Sequence, residues 1–129
     1  MRRWLPLLSL FIFSSALCQP PGWDTFPDDA TPLEPAALKA RINGKTFDFR
    51  TWDGIKFQLH FAGSGYMFVT AKLPESTKSA QWSSTWQVEG SRVCMARLNS
   101  SGCVDIRENG GILLWKRQVG GEVVKLVPE

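Results

Sequence analysis

From Lys45 onward the chain alternates polar and apolar residues in short runs. Ile55, Phe57, Leu59 and Phe61 point to one side, and Lys56, Gln58 and His60 to the other. That is the pattern of a half-buried antiparallel strand. Thr46 to Arg50 repeats it with Phe47 and Phe49 inward. Further strands are expected at 66–72, 86–88, 93–98, 103–107, 112–117 and 123–127. Asp53-Gly54, Gly63-Ser64-Gly65, Glu89-Gly90, Asn99 to Gly102, Asn109-Gly110-Gly111 and Gly120-Gly121 supply the turns between them. Glu75 to Ser84 is rich in Ser and Thr and reads as the longest loop; it contains Trp82, which the pattern does not place.

Upstream, the period is helical. A short helix is expected from Thr31 or Glu34 to Ile42, with Pro35 in its first turn and Leu38 and Ile42 on one face. Asn43-Gly44 ends it, and the helix is expected to cover one end of the strand domain. About eight short strands in consecutive hairpins would leave two exposed edges unless the sheet closes. The fold class is therefore all-β, a small antiparallel up-and-down barrel with one N-terminal helix; a β-sandwich is the alternative. Phe47, Phe49, Phe57, Phe61, Trp86 and Trp115 are the candidates for its interior. Their bulk argues for a filled barrel, although eight strands can also enclose one small ligand.

The N-terminus changes the picture. Met1-Arg2-Arg3, an apolar stretch from Leu5 to Phe13 and the mostly small residues Ser14 to Cys18 have the order of a secretory signal peptide. The apolar part is shorter than the ~20 residues that span a bilayer. Three segments result: 1–18 as signal, 19–34 as an extended, weakly ordered, Pro-rich acidic arm, and 35–129 as the barrel. Cleavage falls after Cys18 or after Ala16. If Cys18 is instead acylated, the chain is membrane-anchored. The expected localisation is periplasmic or secreted.

The full chain carries a net charge of +3. Without Arg2 and Arg3 it falls to +1, which removes any general electrostatic case for nucleic acid. Residues 19–34 carry Asp24, Asp28, Asp29 and Glu34 with no basic residue, so an acidic arm accompanies a mildly basic barrel. Trp23 and Phe26 are the arm's only large apolar groups. They either anchor to a partner or fold back on the domain.

Cys94 and Cys103 remain after cleavage, and an even pair in an exported chain points to a disulfide. No spacing for zinc, calcium or a phosphate loop is present, and no cofactor or metal is expected. His60, the only histidine, falls on the outward side of its strand. Asp48 with Asp53, and Asp105 with Glu108, are the carboxylate pairs that glycosidase-type chemistry would need. They read as surface acids, and the chain is expected not to be an enzyme. Asn99-Ser100-Ser101 matches a glycosylation acceptor on a turn. Trp52, Trp82, Trp86 and Trp115 are either core residues or the lining of a sugar or lipid site. Trp23, Phe26, Trp52 and Trp82 are the candidate binding residues.

The run Thr85-Trp86-Gln87-Val88-Glu89-Gly90, then Val93-Cys94 and Cys103-Val104, resembles a family of small uncharacterised exported proteins of Gram-negative bacteria. Gly44-Lys45-Thr46-Phe47 after the helix is similar as well, and the resemblance covers about 36–128. It implies a lipocalin-like domain of unknown function and transfers no catalytic residues. Thr85 to Cys94 is also similar to part of the periplasmic metalloprotease inhibitors, lipocalin-like barrels whose N-terminal segment enters the protease cleft. That resemblance implies an inhibitory role for the arm at 19–34. The expected function is a monomeric, non-enzymatic exported barrel binding a small ligand or an envelope protein. The alternative is a protease inhibitor acting through the arm.

Overall fold

A computed structural model of the protein describes residues 23–97 and 100–129. The expectations for the signal segment, Cys18, residues 19–22 and Asn99 lie outside these. The order of elements is β1 (Thr31–Pro32), α1 (Pro35–Ile42), β2 (Thr46–Arg50), β3 (Lys56–Phe61), β4 (Tyr66–Lys72), β5 (Ser79–Glu89), β6 (Arg92–Arg97), β7 (Ser100–Asn109), β8 (Ile112–Lys116) and β9 (Val123–Pro128). Strands β2 to β7 pair consecutively, β2 also pairs with β9, β9 with β8, and β8 with β7. All pairings are antiparallel, and they close β2–β9 into an eight-stranded barrel.

Closure depends on β7, the strand with three neighbours. Its first half, Ser100 to Asp105, pairs with β6. Its second half, Ile106 to Asn109, pairs with β8. On the side vacated by β6, Glu108 and Arg107 take Thr31 and Pro32 of β1. This stagger is the shear that a closed barrel requires.

Helix α1 closes one end. Leu38 and Ile42, four residues apart, are fully buried and belong to the same apolar cluster as Phe47, Phe61 and Trp86. The Gly44 N–H donates to Phe61 O at 2.7 Å; Gly44 has φ +73, a conformation that favours glycine. Arg41 ties the helix to the rim through Glu108 at 3.3 Å and Gly111 O at 2.8 Å. Above the helix, Phe61 is fully buried and meets Trp86 and Phe47 edge-on, with ring centroids 5.4 and 6.1 Å apart. The Trp86 indole N–H donates to Ala62 O at 3.0 Å, so its polar atom is satisfied on burial.

Two strands begin several residues before their expected starts, and β1 occupies Thr31, one of the two expected starts of the helix. Residues 79–84 form strand and not loop: Ser79 to Trp82 pair with Lys72 to Val69. Their outward positions are polar and one inward position is Ser84, so no apolar alternation marks the strand. Ser100 to Gly102 belong to β7 and not to a turn, with Gly102 opposite Met95. The Gln118 side chain occupies the space beside Gly102: a Cβ there would lie 1.7 Å from Gln118 Nε2, and Gln118 would have to move aside.

The described part of the arm, 23–34, holds turns at 23–24 and 28–29 and the short strand β1, and it is not weakly attached. Ala30 is buried, Trp23 O accepts from Val123 N at 2.7 Å, and Asn109 Nδ2 donates to Asp29 Oδ1 at 3.0 Å. Phe26 lies under the Arg107 guanidinium, 4.6 Å from ring centroid to Cζ. Both arm aromatics thus fold back on the domain.

Cys94 and Cys103 face each other across β6–β7 and form a disulfide. Reducing it is expected to lower stability by about 2–3 kcal/mol on the chain-entropy account. The check is the urea midpoint with and without reductant; an unchanged midpoint would show that the hairpin holds its register unaided. Phe61→Ala should cost about 3–5 kcal/mol, the range for a buried Phe, read from the same denaturation curves.

Candidate functional site

The interior is packed at the helix end and hollow at the other. A cavity of about 300 Å³ lies there. Filling of the whole barrel by bulky side chains, the reading that residue size favours, is corrected accordingly. Leu59, Met67, Val69, Val104 and Trp115 form its walls, with Phe49, Phe57 and Trp82 toward the open end. The hollow has a simple origin. Ser84 occupies a lining position on β5 where a barrel of this width would otherwise place a large apolar group, and on β7 Gly102 has only the Gln118 side chain against it.

Trp82, unplaced by the sequence pattern, is half-buried and lines this cavity. It meets Phe57 edge-on at 6.4 Å, and Phe57 in turn stacks on Phe49 at 4.8 Å. The Arg117 guanidinium covers these rings, with Cζ 5.0 Å from the Phe57 centroid and 6.0 Å from that of Phe49.

Arg117 starts the β8–β9 loop and is ion-paired with Glu122 at the loop's end. Glu122 is 3% exposed. Its second carboxylate oxygen accepts from the Trp52 backbone N–H at 3.1 Å, and its backbone oxygen accepts from Arg117 N at 2.9 Å. The buried carboxylate is therefore paired and hydrogen-bonded, the condition under which a buried charge is tolerated. Between these residues, Gln118 and Val119 reach the cavity opening beside Ser101 and Gly102. Gln118 Nε2 stands 3.5 Å from Cys103 O, a long and weak contact.

Ser84 is 6% exposed, and its hydroxyl is the single buried side-chain oxygen or nitrogen without a hydrogen-bond partner among the described residues. It lies between Trp82 and Trp86 along β5, opposite Met67. An unpaired hydroxyl in such surroundings costs about 1–3 kcal/mol.

The other candidate residues are dispersed. Trp23 and Trp52 share a shallow outer groove with Glu122 and Val124. Trp52 is 38% exposed. Phe26 is elsewhere, against Arg107. His60 is half-buried on the outer face, where Thr46 Oγ1 lies 2.8 Å from its Nδ1 and Phe68 stacks beside it. Asp53 accepts from the Thr51 hydroxyl, Asp105 stands opposite Arg92, and Glu108 pairs with Arg41. Each of these acids has its own local neighbour.

Asp48 sits on the outer face of β2. Burial first, and then the Glu129 carboxylate beside it, hold its carboxyl above the ordinary value of 3.8, with Gln58 pulling in the opposite direction. Glu89 and the two cysteines bring ligand-type atoms within 4.8 Å of one another. The disulfide occupies both sulfurs, which leaves one carboxylate and no metal-binding set.

No protein-family profile, curated protein or solved structure matches this chain.

Because folded Asp48 holds its proton more tightly than the unfolded chain does, its contribution to stability is full below pH 3.8 and declines as pH rises through the raised folded value. Asp48→Asn should therefore match the parent at pH 3 and be modestly more stable at pH 7. Thermal melts at the two pH values test this; equal melting temperatures at pH 7 would show that the carboxylate is not under strain.

Proposed function

We propose that this chain is an exported, non-enzymatic barrel that binds one small ligand in its interior. The observation that carries the reading is the Ser84 hydroxyl, buried and without a partner at the wall of a cavity whose inner part is apolar and whose polar residues Arg117, Gln118 and Ser101 stand at the opening. A cavity of about 300 Å³ is at the small end of ligand sites. The disulfide is compatible with an oxidising compartment, and the signal-like N-terminus supports export. An inhibitor acting through the arm would first have to release residues 23–34 from the contacts they make with the barrel.

The test is native mass spectrometry of the full-length gene product purified from its own host. One extra small mass, lost on denaturation, is expected, together with a polypeptide beginning near residue 19 and a mass lower by two hydrogens for the disulfide. Ser84→Leu, which fills the hollow, should remove the extra mass while leaving the fold intact by circular dichroism. A ligand retained at full occupancy in that variant would place binding outside the barrel and overturn the reading.

A further inference from the structure

We propose that the interior ligand is an uncharged aromatic molecule of about ten non-hydrogen atoms with one hydrogen-bonding group, of the size and character of a small phenol. This assignment rests on the interior-binding reading above and deepens it. The size follows from the volume: about 300 Å³ at roughly 30 Å³ per water-sized group holds about ten such groups.

The charge follows from the loop at the opening. Among the described residues, Arg117 is the one charged side chain that lines the cavity, and Glu122 already matches it. An anionic ligand would have to displace a buried carboxylate from its guanidinium or lie beside it unpaired, and both arrangements are costly. A cationic ligand would meet Arg117 itself. A neutral molecule leaves the ion pair undisturbed.

The aromatic character follows from the walls. Phe57 and Trp82 already meet edge-to-face, the arrangement that ring quadrupoles prefer. Met67 and Met95 also line the space and supply thioethers, which make favourable contacts with ring edges. The position of the polar group follows from Ser84. Its hydroxyl can both donate and accept, so a ligand hydroxyl placed there satisfies two groups with one hydrogen bond.

The experiment is isothermal titration calorimetry of the oxidised chain with three probes: p-cresol, toluene and octanoate. Toluene matches p-cresol without the hydroxyl, and octanoate has ten non-hydrogen atoms with a negative charge. Binding of p-cresol in preference to both others is expected. Ser84→Ala should weaken p-cresol by about fivefold, the worth of one hydrogen bond, and leave toluene unchanged. Equal affinity for p-cresol and toluene in the parent protein would overturn the role of the hydroxyl, whether or not the variant folds. Octanoate bound in preference to p-cresol would overturn the uncharged-aromatic assignment while leaving interior binding in place. No binding of any probe, in a protein that still carries a small mass from its host, would also overturn the assignment alone. No probe bound and no mass carried would overturn both.

Discussion

The stagger of β7 is the constraint on which the rest of this molecule depends. A strand of ten residues that gives its first half to β6 and its second half to β8 closes the sheet. Without that closure two strand edges would lie open to pairing with another chain. The same stagger decides where the barrel is hollow. β8 ends at Lys116, so it pairs with β7 only from Ile106 onward. Along Ser101 to Cys103 the neighbour is instead the β8–β9 loop, whose Gln118 lies against the Gly102 backbone. A loop leaning on a strand through one long contact is a weaker wall than a ladder of backbone hydrogen bonds. The cavity opens there.

The two ends of the barrel are closed by different physics. At the helix end the seal is apolar: Leu38 and Ile42 descend on Phe61 and Trp86, and one indole N–H is the polar group that has to be accommodated. At the open end the loop is held by charge. Arg117 stacks on Phe57, pairs with Glu122, and the carboxylate also takes the Trp52 backbone N–H. This arrangement fixes both ends of a short loop while its middle residues, Gln118 and Val119, have few partners. It also neutralises the mouth. A single unpaired arginine would have made the cavity an anion site; the pair makes it a neutral one.

Most of the architecture was legible from the amino acids because alternation, turn glycines and a four-residue helical spacing all point to the same answer. Ile55 to Phe61 is the clearest case: Phe57, Leu59 and Phe61 face inward as expected, and only Ile55 falls outside the strand, which begins at Lys56. The disulfide was legible from a signal-like N-terminus that, once set aside with Cys18, leaves an even pair of cysteines. The site was not, and the reason is specific. Ser84 lies on the inward face of β5 between two tryptophans. A polar residue at that position interrupts the apolar alternation, so the first half of β5 looks like a serine-rich loop and Trp82 is left without a place. Gly102 misleads in the same way, since glycine close to Asn99 and two serines suggests a turn, whereas here it provides room for Gln118. Ser84, which hid the first half of β5, is also the residue that leaves room inside the barrel. The arm departs from expectation for another reason: Ala30 and β1 find a vacant stretch of β7 to lie on.

A barrel shaped for stability alone would not place Ser84 where it is. A small apolar residue there would remove a desolvation cost of about 1–3 kcal/mol, a noticeable share of the ~5–15 kcal/mol by which a domain of this size is usually stable. The hollow beside it forgoes packing as well. Both losses fall in the half of the barrel where β6 and β7 carry a cross-strand disulfide, and that bond contributes about as much as the hydroxyl costs. The disulfide therefore offsets the desolvation of the hydroxyl and leaves the forgone packing to be made up elsewhere in the fold.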